Sequence, residues 1–100
     1  MTKKAEKMVA TYTERLEISE TYFIANAVAF NEETGKLDKE YEFTKGFLKD
    51  IKKAFDDMIY GMYRFDMLSE KDFNEVYTKS HDIYNETLEK MLDAYIKAKY

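Results

Sequence analysis

Residues 22–30, Tyr-Phe-Ile-Ala-Asn-Ala-Val-Ala-Phe, form the longest apolar run of the sequence, and the fold depends on what this run becomes. As a helix it is apolar nearly all round, because Phe23, Ala27 and Phe30 share one face and further apolar residues flank that face on both sides. Such a helix is normally buried on every side. The run is much shorter than the roughly 20 apolar residues that cross a bilayer.

The same run can also be a β-strand, with alternate side chains on opposite faces. Residues 31–36, Asn-Glu-Glu-Thr-Gly-Lys, would then form a hairpin loop with Gly35 at positive φ. Phe30 and Leu37 would face each other across the ladder. The alternative fold is therefore α+β, in which a β-hairpin at residues 22–43 packs on helices.

The middle of the chain favours the helical interpretation. A stripe of seven apolar residues and one threonine steps by three and four positions without a break: Tyr41, Thr44, Leu48, Ile51, Phe55, Met58, Met62 and Phe65. This stripe begins inside the second strand of the alternative hairpin, and that strand would also contain four charged residues of types depleted in strands. In the helical interpretation Gly35 ends the first helix in left-handed geometry, and Asp38 caps the second.

Two further stripes complete an all-α fold. The first helix would bury Ala5, Val9, Tyr12, Leu16, Phe23, Ala27 and Phe30, and the third would bury Phe73, Tyr77, Ser80, Tyr84, Leu88, Met91 and Tyr95. Between helices two and three, Asp66 suits a left-handed position, Ser69 an N-cap and Asp72 a capping box. The sequence predicts an up-down-up three-helix bundle, with helices at about 3–31, 39–65 and 70–98 in a single domain of residues 1–100.

Composition narrows the function classes. The chain has no cysteine, which excludes disulfides and thiolate metal sites, and its formal net charge of -4 argues against direct nucleic-acid binding. No apolar leader or membrane span is visible, so we expect a cytoplasmic protein without membrane association. The excess of lysine over arginine is typical of AT-rich bacterial or phage genomes.

No motif for catalysis or for a cofactor is present. His81 is the only histidine, and its neighbour Asp82 points elsewhere on a helix. No Glu-x-x-His pair or phosphate-binding glycine loop occurs. We therefore expect no enzymatic activity, and no catalytic, cofactor-binding or metal-binding residues.

The first two helices carry more apolar surface than a three-helix core can use. Large exposed apolar patches usually mark interfaces, so the sequence predicts a protein-binding module that self-associates or binds a larger protein. Tyrosines outside the second stripe suit such a surface because they bury area and keep a polar tip. The predicted interface residues are Ile18, Tyr22, Val28, Phe43, Phe47, Tyr60 and Tyr63.

The outer face of the third helix offers an alternative function. Five acidic residues, interrupted by Lys79, form a ridge at helical spacing: Glu75, Asp82, Glu86, Glu89 and Asp93. Such a ridge is ordinary on a solvated helix. It could also imitate nucleic-acid phosphates. The alternative is thus a small acidic inhibitor, phage-encoded, that occupies the basic nucleic-acid-binding groove of a host or defence protein such as a CRISPR effector.

Overall fold

A computed structural model describes residues 1–100 as three long helices without a strand. Helix α1 spans Lys3–Phe30, α2 spans Lys36–Arg64 and α3 spans Glu70–Lys99. Helix accounts for 87% of the residues, and the predicted three-helix bundle is confirmed. The alternative hairpin at residues 22–43 is wrong. Its first strand is the last part of α1, and its second is the start of α2, where the charged side chains remain in water.

The α1 stripe forms the centre of the core. All seven residues predicted for it are buried. Tyr12 stacks on Phe55 with ring centroids 4.4 Å apart, and Phe23 lies 5.7 Å from Tyr41, so α1 and α2 run antiparallel. One buried residue on this face was not predicted. Glu20 is only 8% exposed although it carries a carboxylate.

The α2 stripe leaves the core toward its C-terminal end. Met58 and Phe65 were predicted to be inside, but they are 47% and 77% exposed. Ile59 is fully buried instead. The cause is geometric, because a strict seven-residue repeat drifts by about 20° per heptad on a straight α-helix. After about three heptads the pattern no longer points at the neighbouring helices.

The buried face of α3 is rotated relative to the predicted one. Val76 was not among the predicted core residues and is fully buried, whereas Tyr77 was predicted inside and is exposed. Ser80 and Thr87 are buried as well. Tyrosine keeps its hydroxyl near water or a partner. Tyr77 accordingly lies at the edge of α3, and the shorter side chains occupy the core.

The first turn is tighter than predicted. Gly35 does adopt left-handed geometry, with φ of 78°, but it caps the start of α2, so this helix begins three residues earlier than expected. Asp38 is therefore not an N-cap. Its carboxylate accepts hydrogen bonds from the Tyr95 hydroxyl and, at 3.0 Å, from the Lys99 ammonium. These bonds lower the pKa of Asp38 and connect α2 to the end of α3.

The second turn follows its local sequence. Asp66 has φ of 58°, and the Ser69 hydroxyl accepts a hydrogen bond from the Asp72 amide at 3.1 Å, as an N-cap does. The Asp72 carboxylate does not complete a capping box. It accepts from the Thr2 amide at 3.4 Å, so the N-termini of α1 and α3 lie together at one end of the bundle.

Two glycines give opposite stability predictions. Gly46 lies inside α2, and a Cβ added there would have no atom within 4 Å. Gly46→Ala should therefore raise the free energy of unfolding by about 0.5–1 kcal/mol. Gly35→Ala should lower it by about 1–2 kcal/mol, because an L side chain is strained at positive φ. Urea titration of both variants checks this, and a gain at Gly35 would contradict it.

Candidate protein-binding surface

Helices α1 and α2 leave a groove between them near the N-terminal end of α1. Its volume is about 650 Å³, within the range of pockets that hold ligands or side chains of a partner. The floor is apolar and rich in methionine, with Met8 from α1 and Ile51, Ala54, Phe55 and Met58 from α2. Methionine adapts its shape to irregular partners, so this floor suits a protein surface.

The two walls of the groove carry opposite charge. The α1 wall is basic, with Lys4, Lys7 and Arg15, and the α2 wall carries Asp50. None of these four side chains takes part in the ion pairs that the structure forms. The charges at the groove are therefore unpartnered within the chain.

Four of the predicted interface residues extend this groove along the bundle. Ile18 and Tyr22 follow Arg15 on α1 by steps of three and four, and Phe47 and Phe43 precede Asp50 on α2 by the same steps. They are exposed by 65%, 58%, 49% and 72%, respectively. We define the α1/α2 face as the groove together with Ile18, Tyr22, Phe43 and Phe47.

The other three predicted interface residues lie elsewhere. Val28 is exposed, but it lies about 120° around α1 from Tyr22 at 3.6 residues per turn. Tyr60 and Tyr63 face α3, where Tyr63 stacks on Phe73 at 4.9 Å and Tyr60 meets the same ring edge-on at 6.4 Å. The predicted set therefore does not form one surface.

Sequence reasoning missed the groove itself. Its α1 wall has a simple signal, because Lys4, Lys7, Thr11 and Arg15 are spaced by three, four and four residues beside the core stripe. Such a second stripe becomes a groove wall only when α2 lies next to it. Its polar composition alone resembles an ordinary solvated face.

The acidic ridge on α3 is largely free. Glu75 is half-buried and forms an ion pair with the N-terminal amino group at 3.3 Å. The other four members are exposed and form no ion pair: Asp82, Glu86, Glu89 and Asp93. The ridge is therefore one residue shorter than predicted as an accessible acidic surface.

A polar cluster lies between α2 and the other helices. Lys52 donates to Asp56 at 2.7 Å, and its ammonium is 5.4 Å from the centre of the Tyr77 ring. The Tyr12 hydroxyl is buried without a hydrogen-bond partner, and burial together with the Asp56 charge raises the pKa of Tyr12.

His81 lies outside that cluster and packs parallel to Tyr77, with ring centroids 6.2 Å apart. No three histidine, aspartate or glutamate side chains are arranged to hold a metal ion. None of the helices combines the length and apolar character needed to traverse a bilayer. No family model, curated protein or solved structure matches the chain.

The buried Glu20 carboxylate predicts a pH-dependent stability. Burial raises the pKa of Glu20 above its usual 4.5, and nearby Lys90 offsets part of this effect. Because the folded state binds this proton more tightly than the unfolded state, stability is lost as pH rises through the unfolded and then the folded pKa. Glu20→Gln should therefore be more stable than wild type at pH 7 and about equal to it at pH 3.

Urea unfolding at the two pH values measures this difference. Glu14→Gln is the matched control, since Glu14 is an exposed residue of the same helix and should change stability little at either pH. Equal effects of Glu20→Gln at pH 7 and pH 3 would contradict the prediction.

Proposed function

We propose that this protein is a non-enzymatic protein-binding module whose α1/α2 face docks on another protein surface. The observation that carries this proposal is the continuity of the face. A methionine-lined groove leads directly into four large exposed apolar side chains on the same two helices. Isolated exposed apolar residues are common, whereas contiguous ones usually mark an interaction site.

The composition of the face also supports a protein partner. Interface centres are enriched in aromatic residues and methionine, and their rims are polar. The α1/α2 face has this order, with Tyr22, Phe43 and Phe47 exposed along it and charged side chains at the groove walls. Covering a large apolar side chain contributes about 1.5–3 kcal/mol, so a few of them suffice to anchor a complex.

The double variant Phe43→Ser/Phe47→Ser tests the proposal. Sedimentation over a range of concentrations and capture from a host lysate should each be compared with wild type. The variant should lose self-association or a captured protein that wild type holds. Met67→Ser is the matched control, because Met67 is 57% exposed in the turn before α3, outside the α1/α2 face. Binding that survives the double variant would reject the proposal.

The acidic ridge supports a second candidate function, inhibition of a nucleic-acid-binding protein. Its four exposed carboxylates step by four, three and four residues along the outside of α3, and none of them forms an ion pair within the chain. Complementary charge would speed association with a basic groove, such as that of a CRISPR effector. Reversal to lysine at Glu86, Glu89 and Asp93 should abolish that binding and keep the helical circular dichroism spectrum. Unchanged inhibition would reject this function.

A further inference from the structure

We infer that the protein bound at the α1/α2 face is a second copy of this chain, related to the first by a twofold axis parallel to the helices. This inference rests on the proposed function of the face and adds the partner and its orientation. It follows from the distribution of charge and apolar side chains along two antiparallel helices.

At the groove, the α1 half of the face carries cations and the α2 half carries a carboxylate. Lys7 and Arg15 line the α1 side, and Asp50 lines the α2 side. Asp57 is exposed and follows Asp50 by seven residues, which places it on the same side of α2. Such a surface is complementary to a copy of itself only if the α1 side of each copy faces the α2 side of the other.

The charges of the two halves also match in height. The stack of Tyr12 on Phe55 fixes the register of α1 against α2. At a rise of 1.5 Å per residue, Arg15 then lies within about 3 Å of the level of Asp50 along the bundle. Lys7 lies within about 5 Å of the level of Asp57 by the same measure.

A twofold axis parallel to the helices brings these opposite charges together at the same level. Rotation about it keeps every residue at its level and lays α1 of each copy over α2 of the other. Arg15 then faces Asp50 of the second copy, and the pair occurs twice. A twofold axis across the groove would instead lay α1 over α1, with cations opposite cations, which is unfavourable. Charge thus selects the parallel arrangement.

The same rotation pairs the apolar side chains. Ile18 and Phe47 lie at levels within about 3 Å of each other, as do Tyr22 and Phe43. Each would cover its counterpart in the second copy.

Charge exchange between two variants tests this arrangement. Arg15→Asp and Asp50→Arg each place like charges opposite each other twice, so each should weaken the dimer by about tenfold or more in sedimentation equilibrium. An equimolar mixture of the two variants should regain wild-type affinity, because the heterodimer contains two restored pairs of opposite charge. Lys79→Asp is the control and should change nothing, since Lys79 is exposed on α3 and does not line the groove.

The outcomes separate this inference from the proposed function. A wild-type chain that stays monomeric overturns the inference, while the proposed function stands if Phe43→Ser/Phe47→Ser still loses a foreign protein. A dimer that resists both reversals, or a mixture that does not recover, overturns the parallel twofold arrangement. Circular dichroism of each variant verifies folding, which we expect to persist because neither Arg15 nor Asp50 forms an ion pair within the chain.

Discussion

Phe23→Ala is expected to lower the free energy of unfolding by about 3–5 kcal/mol, the range for a large aromatic side chain removed from a well-packed core. Phe23 is completely buried and contacts Tyr41 of α2 as well as Phe30 of its own helix. Its removal leaves a cavity between two rigid helices. Domains of this size have total stabilities of about 5–15 kcal/mol, so the variant should be close to unfolding.

Phe43→Ala is the matched control for that loss. The same side chain is removed, but Phe43 is 72% exposed and leaves no cavity. The expected change in the monomer is within about 0.5 kcal/mol. Urea titration of both variants should be carried out at low protein concentration, because association stabilises the folded state. Similar losses at both positions would mean that residues 22–30 are not held in the core as the structure shows.

Ile59→Ala should cost about 2–5 kcal/mol, whereas Met58→Ala should cost much less. Ile59 is fully buried and Met58 is 47% exposed along the groove. The two residues are adjacent and similar in size, so they differ mainly in the direction in which α2 presents them. The comparison therefore measures the rotation of α2 about its own axis.

The same titrations in urea decide this second prediction. A large loss of stability in Met58→Ala together with a small loss in Ile59→Ala would mean that α2 buries Met58, as the heptad stripe predicted. That result would contradict the observed packing. The slope of the free energy against urea should stay unchanged in both variants, because both unfold the same three helices. A changed slope would indicate that the substitution altered the compactness of the folded or unfolded state and not only the packing of the core.

Stability measurements at several protein concentrations also test the role of the α1/α2 face in association. Phe43→Ala should be nearly neutral for the monomer and yet weaken the proposed dimer, because Phe43 is mostly exposed in the single chain and a second copy would cover it. A core variant such as Ile59→Ala should instead lower stability at every protein concentration. Concentration dependence therefore distinguishes the residues that fold this chain from those that let it associate.

The sequence by itself determined the local structure of this protein. It predicted three helices, the α1 stripe, the left-handed Asp66 and the Ser69 N-cap, and all four are confirmed. Each depends on contacts between residues a few positions apart, such as periodic burial or a side chain that reaches a nearby amide. The apolar run at residues 22–30 needed the stripe of the second helix and the charged residues before it to favour a helix over a strand.

The tertiary structure alone decided how each helix is turned and which residues meet. Periodicity cannot tell which flank of a stripe faces a neighbour, so Ile59 and Val76 were missed as core residues. Nor could it show that Asp38 binds the end of α3, or that Tyr60 lies apart from the α1/α2 face. These features join residues that are distant in the chain, and only the packing of three helices brings such residues together.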